Sequence, residues 1–287
     1  MTKSAFTIKT LSIFGFILIC INLLPAQRQM EKLGRGVVAV NQGEGKVFIS
    51  WRLLGIDPEN IAFNIYRVTG DSEPVQINGQ PITKATCYQD SDVDLTQDNS
   101  YFIQPIINGQ KGEMSKSFLN TISANSEVKE FFEVPINLPE STRAAEGSLG
   151  DLDGDGEYEI ILKGWQRPID TASSGITGNT VLQGYKLDGT LMWTIQMGKN
   201  IREGEHDTQF MVYDLDGNGI AEIAVRTADG SIDGTGKVIG DPNADWVDRN
   251  RQSTTFGKIM TGPEYVSIFN GKTGAEMART DYIPGRE

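Results

Sequence analysis

The stretch that most restricts what this chain can become is residues 150–162, Gly-Asp-Leu-Asp-Gly-Asp-Gly-Glu-Tyr-Glu-Ile-Ile-Leu. Five acids, Asp151, Asp153, Asp155, Glu157 and Glu159, fall within nine residues, with glycines between them. Carboxylates so close together repel one another unless a cation neutralises them. Hard oxygen ligands on tight glycine turns suit Ca²⁺, which accepts six to eight oxygens in flexible geometry. The apolar run that follows reads as a buried strand. The pattern returns at Asp214-Leu215-Asp216-Gly217-Asn218-Gly219-Ile220-Ala221-Glu222, 63 residues later, at 214 instead of 151. A loop-then-strand unit repeated at a fixed offset predicts a repeat architecture.

An EF-hand is the rival reading, since positions 1, 3 and 5 and the glycine at 6 fit. The acid at position 12 is missing, because Leu162 and Val225 stand there, and the residues that follow favour strand over helix. The expected ligands are Asp151, Asp153, Asp155, Glu157 and Glu159 in the first loop, and Asp214, Asp216, Asn218 and Glu222 in the second. Acidic surface turns without metal are the plain alternative. His206 is the only histidine. Beside Asp207 it reads as a calcium-site neighbour or unusual ligand, or else as a hydrogen-bonded structural residue. One histidine excludes a histidine-cluster zinc site within this sequence. Residues 229–236 read either as a third calcium loop or as a glycine turn.

The chain has 287 residues and a formal net charge of −12. That charge argues against nucleic acid as a partner, because phosphates would be repelled. Residues 1–27 read as a secretory signal: Lys3 and Lys9, an apolar run from Leu11 to Leu24, then Pro25-Ala26-Gln27. The run is short for a membrane span, so no stable span is expected after cleavage, and a secreted or periplasmic location follows. Only Cys87 would remain in the mature chain, which leaves it no internal disulfide. Bound calcium is then a natural staple.

Residues 30–124 predict one small all-β domain. Its strand signals are Val47–Leu54, Phe63–Val68 and Tyr101–Ile107, the last followed by an Asn108-Gly109 turn. This segment resembles a fibronectin type III sandwich, with Trp51 as the core indole and Tyr101 as the tyrosine that pins a corner. Residues 125–145 read as a linker that partly packs. From 146 to 287 strand signals alternate with Gly/Asp turns. Hairpins are expected over residues 184–193, turning at Asp188-Gly189, and over 265–274. A loop, a strand and a hairpin recurring at blade length predict a β-propeller.

These pieces together resemble the rhamnogalacturonan lyases of polysaccharide lyase family 11. The likeness is carried, in order, by the block 150–162 and the segment 206–217 (His-Asp-Thr-Gln-Phe-Met-Val-Tyr-Asp-Leu-Asp-Gly). Arg226-Thr227-Ala228-Asp229-Gly230, the run 234–240 and Gly262-Pro263-Glu264-Tyr265 continue it. The resemblance implies a fibronectin-like sandwich followed by an eight-bladed propeller, with structural calcium ions, in a secreted monomer acting on the anionic polysaccharide of pectin. Members of the family are about twice this length, so the expectation is an incomplete propeller with two or three blades. The catalytic residues are then expected beyond this sequence. The chain also departs from the family pattern. Asp207 stands where a tyrosine is usual, and the acid that normally follows Lys163 and a tryptophan is out of register, with Asp170 the nearest replacement.

The implied reaction is β-elimination at a uronate. It needs a cation to neutralise the carboxylate, a base to take the proton at carbon 5, and a donor for the departing oxygen. Lys163 and Arg226 occupy nearly matching places after the two loops and are the expected substrate-binding cations, with Asp170 beside them. The alternative for both cations is a salt-bridged side chain. At the level of function, the alternative is a non-catalytic, calcium-stapled module that binds carbohydrate or protein.

Overall fold

The computed structural model describes residues 32–118, 121–204 and 206–286, and among these every regular element is a strand. The segment read as a secretory signal lies outside the described residues. No helix in the described residues is long and apolar enough to cross a membrane.

The N-terminal part has seven strands: β1 (Val38–Gly43), β2 (Lys46–Ser50), β3 (Ala62–Thr69), β4 (Val75–Gln76), β5 (Cys87–Asp90), β6 (Asn99–Ile107) and β7 (Gln110–Lys111). They form a three-stranded sheet, β1-β2-β5, and a four-stranded sheet, β4-β3-β6-β7. Alternate residues of each strand point to one face. Val47 and Ile49 on β2 therefore meet Phe63 and Ile65 on β3 and Tyr101 and Ile103 on β6 in one core. Trp51 is buried there, edge-on to Phe63 with ring centroids 5.3 Å apart. Arg52, Leu53 and Leu54, predicted as part of β2, leave the sheet, and the Leu53 side chain is exposed. Tyr101 does not pin a corner through the backbone. Its hydroxyl donates to Asp90 Oδ2 at 3.2 Å, a carboxylate that also takes a 2.6 Å bond from Arg67. Both Asn108 and Gly109 have positive φ, and so close the tight turn between β6 and β7.

The second part is two consecutive four-stranded meanders. The first is β8 (Arg143–Gly150), β9 (Glu159–Trp165), β10 (Val181–Tyr185) and β11 (Leu191–Gln196). The second is β12 (Phe210–Tyr213), β13 (Glu222–Ala228), β14 (Glu264–Asn270) and β15 (Glu276–Asp281). Both predicted hairpins are present, between β10 and β11 and between β14 and β15. Arg143-Ala144-Ala145, assigned from sequence to the linker, already belong to β8, where Arg143 and Ala144 pair with β9. The rest of that segment packs: Val128 bridges Asn41, and the Asn137 carbonyl accepts from the Tyr185 hydroxyl at 2.7 Å.

The two meanders face each other across a common core of Leu152, Ile161, Leu182, Trp193, Ile195, Ile223, Val225 and Phe269. Trp193 reaches furthest, donating from Nε1 to the Gly271 carbonyl at 2.6 Å. Gly184 lies flat beneath its ring, and a Cβ there would meet the indole at 2.7 Å. Each meander starts with a strand, β8 or β12, that is only partly covered, and these two strands adjoin.

Candidate metal loops and inner-edge charge cluster

Each Asp-rich loop precedes the second strand of its meander, and the two have the same internal geometry. Asp151 receives three backbone N–H groups, from Gly154, Asp155 and Gly156, at 2.8–3.1 Å. Asp214 receives the matching three, from Gly217, Asn218 and Gly219, at 2.7–3.1 Å. The turns need positive φ at Gly154 and Gly156 and at Gly217 and Gly219, which glycine adopts without steric cost. The strand's first acid then reaches back. Glu159 Oε2 accepts from Leu152 N at 2.7 Å, and Glu222 Oε2 from Leu215 N at 2.8 Å.

This folding gathers Asp151, Asp153 and Glu159 so that one oxygen from each lies within 4.8 Å of the others, and Asp214, Asp216 and Glu222 do the same. Burial pushes the carboxyls of Asp151, Glu159 and Glu222 up, and the neighbouring acids add to it. The shift takes Glu159 to about 7. Such a set suits a hard divalent cation, which restores the charged form. Glu222 Oε1 is buried with no hydrogen-bond partner, an oxygen that a cation would satisfy.

Other predicted ligands are turned elsewhere. Asp155 Oδ1 accepts from Glu157 N, and its carbonyl takes a 2.5 Å bond from Lys116. Glu157 faces Arg52 at 3.3 Å, because the N-terminal domain docks on this side of the loop. Asn218 Oδ1 caps Ile220 N. His206 is exposed and belongs to neither acid group. In the loop considered as a third calcium site, Asp233 uses both oxygens on donors from Thr235, Lys237 and Glu276, which makes it a turn-forming acceptor.

A second charged cluster joins the two meanders. Lys163 on β9 and Arg226 on β13 do occupy matching places, and Asp207 lies between them. Lys163 Nζ donates to the Asp207 carbonyl at 3.1 Å and pairs with Glu146 on β8 at 2.6 Å. Its side chain, expected from sequence to bind substrate, is completely buried against Glu146. The Arg226 guanidinium lies 3.8 Å from Asp207 and 3.4 Å from Glu264 and stays partly exposed. With His206, Thr208, Gln209 and Tyr282 it lines an open cavity of about 280 Å³. Thr208 has φ of +59°, costly for a β-branched residue, at the bend that delivers Asp207. Asp170 is exposed on a neighbouring loop and caps Ala172 N; its neighbour Thr171 reaches Asp207 at 3.4 Å.

Arg286 is a cluster member that sequence reading missed. It pairs with Glu264 at 2.9 Å, bonds the Asn200 carbonyl, and leaves Nη1 buried without a partner. Burial lowers its pKa from the ordinary arginine value. Arg202, also missed, holds the carbonyls of Asp170, Ser173, Gly175 and Gly257, so it fixes the loops above the cluster. Neither residue carries a local motif that would have marked it.

These features define an all-β protein built from acidic-loop meanders, with an N-terminal β domain docked on the first loop. The chain belongs to the rhamnogalacturonan lyases of family 11. The profile of the "Rhamnogalacturonan lyase family 11, C-terminal domain" matches residues 136–287, and that of the "Rhamnogalacturonan I lyases beta-sheet domain" matches 28–120. The chain is 40% identical to the rhamnogalacturonan endolyase YesW of Bacillus subtilis (strain 168), over 99% of this chain and 44% of that protein. It is 43% identical to the exolyase YesX of the same organism, over 91% of this chain and 41% of that protein. The solved structure of a Bacillus licheniformis family 11 rhamnogalacturonan lyase superposes with a TM-score of 0.77 at 46% identity, covering 90% of this chain and 43% of that one. The chain thus spans less than half the length of these relatives.

Proposed function

We propose that the protein is an exported polysaccharide lyase that cleaves the rhamnose–galacturonate backbone of rhamnogalacturonan by β-elimination. The observation that carries this reading is identity of 40% or more, sustained over nearly the whole chain, to two proteins named as rhamnogalacturonan lyases. The seven-stranded N-terminal part is read as the fibronectin-like sandwich. The meanders are read as successive propeller blades, supported by their shared core and by the adjoining, half-covered first strands β8 and β12.

In this reading Arg226 faces the polyanion. Its guanidinium is partly exposed at the cavity and is aimed by Asp207 and Glu264, so it can pair with a uronate carboxylate. Neutralising that carboxylate stabilises the enolate character that develops when the carbon 5 proton leaves. Lys163 acts one layer further in, holding the Asp207 backbone through its ion pair with Glu146. Asp170, exposed beside them, is read as a contact to neutral sugar hydroxyls. Asp151, Asp153 and Glu159, and Asp214, Asp216 and Glu222, are the residues that would hold Ca²⁺. A bound ion would supply charge neutralisation to these carboxylates, favouring the packing of each loop against its strand.

The test is incubation of the protein, expressed from its whole gene with calcium present, with the rhamnogalacturonan backbone. A rise in ultraviolet absorbance from an unsaturated uronate is expected. New reducing ends without that absorbance would mean hydrolysis, and retention of polymer without any cleavage would mean a binding module.

A further inference from the structure

The longest stretch of the first meander without a strand is residues 166–180, between β9 and β10. It carries Asp170 and, next to it, Thr171, whose hydroxyl donates to Asp207 Oδ2 at 3.4 Å. A loop of this kind keeps one shape only where something offsets the conformational freedom it gives up. Strand pairing does not supply that here. Two consecutive residues on the approach to Asp207 do: Arg202 and Glu203.

Both residues are charged and both are buried, Glu203 at 0% exposure and Arg202 at 8%. Among the described residues neither forms an ion pair. The loop backbone meets each charge instead. Gln166 N donates to Glu203 Oε1 at 2.7 Å and Arg167 N to Oε2 at 2.5 Å. The Glu203 carbonyl accepts from Ile169 N at 3.2 Å, and the Glu203 N–H donates to Thr177 Oγ1 at 3.2 Å. Glu203 thus holds the two ends of the loop. Arg202 holds its middle, with Nη2 on the Asp170 and Ser173 carbonyls at 3.2 and 2.7 Å and Nη1 on the Gly175 carbonyl at 3.0 Å. The same Nη1 reaches the Gly257 carbonyl on the β13–β14 loop at 2.8 Å. There the two loops touch: Gly175 N donates to the Phe256 carbonyl at 2.8 Å, and a Cβ on Gly257 would lie 2.0 Å from the Gly175 carbonyl. A planar guanidinium spans carbonyls on two loops at once, which the point charge of a lysine does not. Beyond the pair, a Cβ on Gly204 would meet Asp207 Oδ2 at 2.7 Å and the Ile169 carbonyl at 2.9 Å. The chain from Glu203 to Asp207 therefore runs hard against the loop.

We propose that Arg202 and Glu203 are positioning residues for the substrate. A carboxylate holding backbone N–H groups and a guanidinium holding backbone carbonyls set residues 166–180 in one shape. They thereby fix where Asp170 stands relative to Asp207 and Arg226. The uronate carboxylate goes to Arg226, and hydroxyls of the adjoining neutral sugar go to Asp170. With Asp170 fixed in advance, binding does not carry the cost of ordering the loop. Arg202 and Glu203 touch no sugar themselves. Taking away the Glu203 carboxylate leaves the Gln166 and Arg167 N–H groups without their acceptor, and that end of the loop loosens. This inference rests on the substrate reading above, and its test has one arm that does not.

The experiment uses the protein expressed from its whole gene. Hydrogen exchange and lyase kinetics on the rhamnogalacturonan backbone are measured for the wild type, Glu203→Ala, Arg202→Lys, Asp170→Ala and the double variant of Glu203→Ala with Asp170→Ala. Exchange across residues 166–180 should speed up in Glu203→Ala and Arg202→Lys, while β13 stays as protected as in the wild type. KM should rise about tenfold in Asp170→Ala and in Glu203→Ala with kcat altered far less, the pattern of a lost ground-state contact. Because Glu203 acts through Asp170, the double variant should be no worse than either single one, where independent effects would multiply to about a hundredfold. Melting verifies that each variant folds. If Glu203→Ala does not, Glu203→Gln, which keeps one acceptor, takes its place in the cycle. Losses in KM that multiply, or unchanged exchange across 166–180, would overturn the proposal. Absence of cleavage by the wild type would overturn the lyase reading and the substrate role with it, and the exchange arm still decides whether these two residues hold the loop.

Discussion

Replacing Glu159 with glutamine should flatten part of the protein's pH–stability profile. Burial pushes this carboxyl up to about 7 from an ordinary value of 4.5, with Asp153 and Asp155 adding to the rise and the Leu152 N–H and Lys186 opposing it. A raised pKa means that the fold holds the proton more tightly than the unfolded chain does. The stability from that proton is fully present below pH 4.5 and is lost as pH rises through 7. The gap of about 2.5 pH units corresponds to about 3 kcal/mol at 1.36 kcal/mol per unit. In a fold of this size that is roughly 6–12 °C in melting temperature. The assay is unfolding of the chelator-treated wild type and Glu159→Gln from pH 4.5 to pH 8. Glutamine keeps an acceptor for Leu152 N but does not titrate. The variant should therefore gain on the wild type steadily across that window. Parallel profiles for the two proteins would refute the assignment of a protonated, buried Glu159.

Ile223→Ala, which empties space at the centre of the core shared by the two meanders, should cost about 2–5 kcal/mol in denaturant unfolding. Arg52→Ala removes the ion pair to Glu157, the stacking on Tyr158 and the bond to Gly156. Limited proteolysis should then cut faster in residues 32–36, with the far-ultraviolet spectrum unchanged. Arg226→Gln should weaken binding of an oligomeric rhamnogalacturonan substrate by about tenfold, the scale of one charge-assisted contact. Unaltered affinity in that variant would remove Arg226 from the substrate face.

The sequence made the acidic loops legible because their geometry is local. Asp151 and Asp214 are acceptors for N–H groups three to five residues on, and the glycines that permit this are in the same stretch. Glu159 and Glu222 were reachable for the same reason. Asp155 and Glu157 were read as ligands because they share the spacing. Their contacts to Lys116 and Arg52 come from a different domain and leave no trace near residue 155. The hairpin around Asp188-Gly189 was plain, yet its consequence, Lys186 placed level with Glu159, depends on strand register, which spacing alone does not fix. Lys163 and Arg226 were correctly paired by position. Their different exposure follows from Glu146 on β8, which closes over Lys163, and no equivalent pattern marked that residue beforehand. Arg202 and Arg286 act on distant carbonyls and acids, so only the folded chain brings them into view.

The most direct measurement of the central claim is the mass of the products released from rhamnogalacturonan by the protein expressed from its whole gene with calcium present. β-Elimination predicts oligosaccharides ending in an unsaturated uronate, each lighter by one water than the corresponding hydrolysis product. Products that all carry the extra water would contradict it.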